Sequence, residues 1–196
     1  MIVVSAPSGA GKTTLCNKLL AEFPDFTYSV SCTTRQPRGE EADGVAYSFL
    51  TKEQFLELVK QGKFLEHAEV HGNYYGTLGK TVIDSMAAGK SLVLDIDVEG
   101  ASQIRNLMAD MPDDDILKKG FLDIFITIPS VSVLRHRLLK RGEDTVEVIE
   151  KRLKNAVAEM ARANEFSHTL VNDQLEDAYA ELRAIVLNKA AGIGAV

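Results

Sequence analysis

The chain begins with a short apolar run, Met1-Ile2-Val3-Val4-Ser5, that leads directly into Ala6-Pro7-Ser8-Gly9-Ala10-Gly11-Lys12-Thr13-Thr14 and then a helical segment, Leu15–Glu22. Strand, glycine-containing loop, lysine, hydroxyl residue and helix in that order constrain this chain more than any other feature. The order is what a phosphate-binding loop requires. Backbone N–H groups of the loop and of the helix start converge on one spot, and the helix dipole favours an anion there. Lys12 can reach the β- and γ-phosphates, and the Thr13 hydroxyl can join the coordination shell of a magnesium ion. The expected ligand is a nucleoside triphosphate. The general pattern has glycine where this chain has Ala6, but Gly9 and Gly11 still permit a close approach to phosphate. A ligand-free strand-to-helix turn is the alternative, and the agreement of all three elements argues against it.

The rest of the chain alternates short apolar runs with helical patterns. Strands are predicted at Ile2–Ser5, Thr27–Ser31, Ser91–Ile96, Leu122–Ile128 and His168–Val171. Helices are predicted at Leu15–Glu22, Lys52–Gln61, Lys80–Ala88, Gly100–Ala109, Val131–Lys140, Thr145–Asn164 and Asp177–Lys189. This alternation predicts an α/β fold with a central parallel sheet covered by helices on both faces. Ser91-Leu-Val-Leu-Asp-Ile96 reads as a central strand. Met108–Gly120, with Pro112-Asp-Asp-Asp115, reads as a solvated loop, and the tail after Lys189 as frayed.

Two segments interrupt the rhythm. Residues 32–79, rich in glycine and short β-like pieces, read as an inserted lobe. Residues 130–155 are dense in arginine and lysine, with a Gly142-Glu-Asp-Thr145 turn, and read as a basic flap over the loop. The lobe carries Arg35 and Arg38 three apart, then Tyr47 and Asn73-Tyr-Tyr-Gly-Thr77. Arginine forks and tyrosine hydroxyls are suitable donors for a phosphate monoester. Each piece alone reads more readily as a solvated basic turn or a core tyrosine. Beside an upstream triphosphate loop they suggest a second anion facing the first, hence phosphoryl transfer between nucleotides.

The sequence resembles the guanylate kinase family over nearly its whole length. The resemblance rests on Ser-Ala-Pro-Ser-Gly-Ala-Gly-Lys at 5–12, Ser-Val-Ser-Cys-Thr-Thr-Arg-Gln-Pro-Arg at 29–38 and Gly-Asn-Tyr-Tyr-Gly-Thr at 72–77. It extends to Leu-Asp-Ile-Asp-Val-Glu-Gly at 94–100, Lys-Arg-Gly at 140–142 and Val-Asn-Asp at 171–173. It implies a P-loop kinase with a core of residues 1–31, 80–129 and 156–196, a GMP-binding lobe at 32–79 and a small helical lid at 130–155. The implied reaction is reversible transfer of the ATP γ-phosphoryl group to GMP or dGMP, with magnesium, in purine nucleotide metabolism. ATP would be held by Ala6 to Thr14 and Asn172, the latter near the adenine, with Thr13 reaching the metal through the nucleotide. Ser31, Glu66 and Thr77 would read guanine, with Gly76 beside them. Arg35, Arg38, Tyr47 and Tyr75 would hold the GMP phosphate, and Asp95 and Asp97 would sit between the nucleotides. Lys12, Arg137, Arg141 and Arg152 would act on the phosphoryl group in transfer. Two departures stand out: Cys32 replaces a small polar residue common in the family, and Met108–Gly120 is longer than in most relatives. Without the resemblance, Glu66 reads as an exposed strand carboxylate, Arg137 and Arg141 as a solvated helix face, and Arg152 as one half of a helix salt bridge. A peptide-binding module of the same fold is the rival class. It would carry a damaged phosphate loop, whereas Gly11-Lys12-Thr13 is intact.

Bulk properties narrow the partners. The 196 residues suit one domain with small inserted lobes, and the net charge of −6 argues against a nucleic-acid-coating surface. Cys16 and Cys32 form no disulfide framework, and four histidines and two cysteines show no zinc spacing. His67 and His71 read as residues of a solvated strand. No stretch approaches the roughly 20 apolar residues of a membrane span, and the loop at residue 6 leaves no room for a leader, so a cytoplasmic location is expected.

Overall fold

Ile2, Val3, Val4 and Ser5 are all buried, and a strand buried on both faces must lie inside a sheet. The computed structural model describes residues 1–70, 72–142 and 144–193. His71, Glu143 of the predicted turn and the last three residues of the predicted frayed tail lie outside them. The strands are β1 (Ile2–Ser5), β2 (Phe26–Tyr28), β3 (Cys32–Thr33), β4 (Ser48–Phe49), β5 (Phe64–Val70), β6 (Asn73–Leu78), β7 (Ser91–Asp95), β8 (Leu122–Thr127) and β9 (His168–Val171). The helices are α1 (Lys12–Glu22), α2 (Lys52–Lys60), α3 (Gly79–Ala87), α4 (Val98–Asp110), α5 (Ile116–Gly120), α6 (Val131–Arg141), α7 (Val146–Met160) and α8 (Leu175–Ile193).

The main sheet has the order β2-β7-β1-β8-β9, and every pairing in it is parallel. Side chains alternate between its faces. Val3, Leu92, Leu94 and Phe125 point to one side and pack with Val82 of α3, Ala101 and Ile104 of α4 and Leu117 of α5. Ile2, Val4, Val93, Ile124, Ile126 and Leu170 point to the other and meet Leu15 and Leu19 of α1 and Leu182 of α8. Each such buried aliphatic side chain contributes about 1.5–3 kcal/mol. Parallel strands carry their loops to one edge, where ligands of open α/β sheets bind.

A second sheet of order β4-β3-β6-β5 lies within residues 32–79. Its hairpin pairs β5 with β6 in antiparallel register, placing Glu66 opposite Thr77. A third apolar cluster joins Leu134 and Leu138 of α6, Ile149, Leu153 and Ala156 of α7, and Ala10 of the phosphate loop. The two helices of the 130–155 segment thus rest directly on the loop.

Several predicted boundaries move, each for a local reason. Helix α1 starts at Lys12 rather than Leu15, because Gly11 at φ 91° serves as its N-cap. Lys12, Thr13 and Thr14 therefore occupy the first turn. Strand β2 spans Phe26–Tyr28 instead of Thr27–Ser31: the Ser29 amide still donates to the Val93 carbonyl (2.9 Å), and the chain then departs to form β3. Helix α7 ends at Met160, and a 3₁₀ turn at Ala163–Glu165 follows, so that Phe166 can turn inward onto Phe125 (5.2 Å between ring centres). The predicted solvated loop at 108–120 is largely structured. Met108 is buried at the end of α4, and Asp115 caps α5 by accepting from the Leu117 amide (2.8 Å), which lets Leu117 enter the core. Helix α8 continues past Lys189 to Ile193, since alanines carry little entropic cost in a helix. His67 is half-buried in β5 with its ring edge against Phe55, rather than solvated.

Candidate active site

The phosphate loop is shaped by two glycines in left-handed backbone, Gly9 (φ 93°) and Gly11 (φ 91°). Neither could carry a side chain: a methyl group on Gly9 would sit 2.9 Å from Leu134 Cδ1, and one on Gly11 would collide with Asn172 Nδ2. No side chain caps the start of α1, so the first-turn N–H groups that every helix leaves unsatisfied remain available to an anion. Thr13 and Thr14 are exposed on this turn. Lys12 Nζ forms an ion pair with Asp95 at the end of β7. Ser5 Oγ donates to the Ile96 carbonyl (2.8 Å), tying the ends of β1 and β7 together.

Two cations of the 130–155 segment reach the same edge. Arg152 Nη1 donates to Ser8 Oγ (3.2 Å) in the loop and pairs with Asp144 (3.2 Å). Arg137 Nη2 donates to the carbonyls of Asn172 (2.8 Å) and Asp173 (3.1 Å). Neither is a purely solvated helix cation. Arg141 is exposed in the last turn of α6. The Asn172 side chain is buried and donates from Nδ2 to the Ala10 carbonyl (2.7 Å).

Across the cleft, Ser31, Tyr47, Glu66, Tyr75, Gly76, Asp95 and Asp97 line one cavity of about 230 Å³, together with Ala68, Val70 and Ile96. A second cavity of about 610 Å³ extends from Thr13 of α1 to Tyr47 of the lobe. The two share Ser31, Tyr47 and Asp95. One trough thus runs from the phosphate loop to Glu66.

Glu66 is 6% exposed and accepts from Thr77 Oγ1 at 2.7 Å. Burial pushes its carboxyl up to about 7; the Thr77 hydrogen bond opposes that rise and the Asp97 charge reinforces it. Such a buried acid, held by Thr77, is a strong acceptor for paired donors. Asp97 caps α4 through the Gly100 amide (2.8 Å). Arg35 donates through both Nη1 and Nη2 to the Glu41 carboxylate (2.8 and 2.9 Å) and lies 5.1 Å from the centre of the Tyr47 ring. These hydrogen bonds hold Glu41 down at about 2. Arg38 is exposed, and its backbone N–H donates to the same carboxylate (2.8 Å).

A family description, guanylate kinase, matches residues 1–189. The chain belongs to the guanylate kinase family. A guanylate kinase of Nitratidesulfovibrio vulgaris is 48% identical over 189 residues, covering 96% of this chain and 86% of that protein. One of Clostridium perfringens is 43% identical over 187 residues, covering 95% and 82%. The crystal structure of guanylate kinase from Anaplasma phagocytophilum superimposes with a TM-score of 0.69 at 31% identity, covering 96% of this chain and 85% of that one. Phosphorylation of GMP by ATP is the reaction of this family, and its members are transferases.

Three residues beside these side chains carry little signal in the linear sequence. Glu41 organises Arg35, and its only signal is an acid three residues after Arg38. Gly100 makes room for Glu66, whose Oε2 lies 2.9 Å from where a Cβ would sit. Ser29 Oγ is buried without a hydrogen-bond partner among the described residues, and Ser29 lines the larger cavity. Among the described residues no helix is long and apolar enough to cross a membrane.

Proposed function

We propose that this chain carries out the family reaction, ATP and GMP to ADP and GDP in either direction, within the trough between the phosphate loop and the 32–79 lobe. One observation carries the reading: the cavity of Thr13 and the cavity of Glu66 share Ser31, Tyr47 and Asp95. A triphosphate on the loop and a monophosphate in the lobe would therefore face each other.

Guanine presents N–H donors at N1 and N2 on one edge, and the Glu66 carboxylate accepts both. The Thr77 proton is already engaged with Glu66, which leaves Ser31 as the hydroxyl donor for guanine O6. Adenine reverses the pattern and would leave the carboxylate buried and unpaired, a defect that can cost about 10⁴-fold in selectivity. Arg35, Arg38, Tyr47 and Tyr75 hold the monophosphate, with Gly76 in the floor of the site. The acceptor is already a phosphate oxyanion, so no strong general base is needed, and rate comes from alignment and charge stabilisation. Lys12 leaves Asp95 for the β- and γ-phosphates. Arg137, Arg141 and Arg152 surround the phosphoryl group, and Asp97 fixes the start of α4 beneath the two nucleotides.

Magnesium fits this donor set. Thr13 presents an exposed hydroxyl in the first turn of α1, and Asp95 adds a carboxylate to the same trough. The ion would be held by Thr13 and the nucleotide's own phosphates, and when bound it offsets phosphate charge. Among the described residues no cluster of three His, Cys, Asp or Glu side chains could hold a metal alone. Residues 32–79 and 130–155 move as lobe and lid, with hinges at 32–34, 76–79 and 129–130, closing to exclude water as the competing acceptor. The test is a panel of nucleoside monophosphates with ATP and magnesium, read by ADP release. GMP should be preferred over AMP, CMP and UMP; a panel in which GMP is not the best acceptor overturns the reading.

A further inference from the structure

We propose that Asn172 is a positioning residue that sets the direction of the Gly11 amide in the phosphate loop, and so acts on the polyphosphate of the donor rather than on its base. A trans peptide is planar, with its C=O and N–H pointing opposite ways. Asn172 Nδ2 donates to the Ala10 carbonyl at 2.7 Å, and both residues are buried. Fixing that carbonyl towards Asn172 fixes the Gly11 N–H away from it, to the far side of the Ala10–Gly11 peptide. Gly11 is the N-cap of α1, so its amide belongs to the group of donors at the mouth of the helix.

Asn172 is itself held from two directions. Its backbone N–H donates to the Thr127 carbonyl (2.8 Å), and its own carbonyl accepts from Arg137 (2.8 Å). Strand β8, helix α6 and the phosphate loop therefore meet at this one residue. Gly11, with φ 91° and no room for a Cβ beside Nδ2, is the complementary half of the contact. One of the two side-chain N–H donors of Asn172 is committed to the loop.

The inference rests on the reading of residues 6–14 as the triphosphate site, and the test separates the two. Binding of magnesium tripolyphosphate, which has no base, is measured by calorimetry beside magnesium ATP and GMP for the wild type, Asn172→Ala and Asn172→Asp. Removing the donor should weaken tripolyphosphate and ATP equally, by about tenfold. The Asp variant opposes two oxygens and should lose about 100-fold in both, as the repulsion adds to the lost bond. The Kd for GMP should stay unchanged, and kcat/KM with ATP and with GTP as donors should fall by one common factor. Tripolyphosphate binding that survives while ATP alone weakens would assign Asn172 to the base and overturn the proposal, as would no loss of either ligand. Loss of GMP binding in both variants would make Asn172 a general structural residue and overturn it too. A wild type that binds tripolyphosphate but does not phosphorylate GMP would defeat the kinase reading and leave this test standing.

Discussion

The two halves of the trough are built by opposite means. The phosphate loop uses backbone: Gly9 and Gly11 in left-handed conformation, an uncapped helix start, and a carbonyl pinned by Asn172. The 32–79 lobe uses side chains that other side chains hold in place, with Glu41 clamping Arg35 and Thr77 clamping Glu66. Backbone donors come fixed by the fold, and any substitution that fits the conformation keeps them. Side-chain donors must each be oriented by a partner, so the lobe can be retuned one residue at a time. On the proposed assignment, chemistry common to all triphosphates would fall to the first half, and discrimination between bases to the second.

Mutations on the two sides should therefore split into effects on rate and effects on acceptor choice. The largest expected effect is on the loop side: Lys12→Ala should lower kcat on the order of 10³-fold while leaving the GMP Kd nearly intact by calorimetry. A variant with wild-type kcat would erase the contrast. Next, Glu66→Gln should reduce the preference for GMP over AMP on the order of 10²-fold in kcat/KM, with ATP KM unmoved; unaltered selectivity would mean that another group reads the base. Protonation should imitate that change. On the proposed role guanine needs the Glu66 carboxylate, so lowering pH from 7 to 6 should raise the GMP Kd about fivefold. The phosphate of GMP titrates in the same window, and Glu66→Gln, which lacks the carboxyl, is the reference that isolates the effect. The same group links stability to pH with the opposite sense. Its folded pKa lies above the ordinary 4.5, so its contribution is full below about 4.5 and is lost as pH rises through 7, on the order of 3 kcal/mol in all. The smallest effect belongs to Glu41→Gln, which loosens Arg35 and should raise the GMP KM several-fold with kcat unchanged; equal changes in ATP and GMP KM would refute its lobe-side role.

The same division explains what the sequence could reveal. The phosphate loop, β7 and β9 are local patterns, and their residues announce themselves within a few positions of one another. The lobe's registers are not local. Glu66 reads as an exposed strand acid until its hairpin pairs it with Thr77 and α4 covers it with Gly100, about thirty positions away in the chain. Asp123, a lone acid in an apolar run, is buried because Arg105 (3.3 Å) and the Ser167 amide (3.0 Å) meet it from other elements. The resemblance puts Asn172 near the adenine, but its contact with Ala10 spans 162 positions and has no signature in a linear pattern. The acidic segment at 112–115 reads as solvated loop because the capping role of Asp115 depends on Leu117 finding the core.

The pairing of Lys12 with Asp95 has a kinetic consequence. Any polyphosphate that arrives meets a lysine already neutralised by an internal anion, and must displace that anion to be gripped. A triphosphate carries enough charge to do so; the diphosphate left after transfer carries less, and Asp95 can reclaim its partner. On the proposed role of Lys12, the carboxylate at the end of β7 would act as an ejector for spent nucleotide, and Asp95→Asn should lengthen the residence time of ADP in a stopped-flow release experiment.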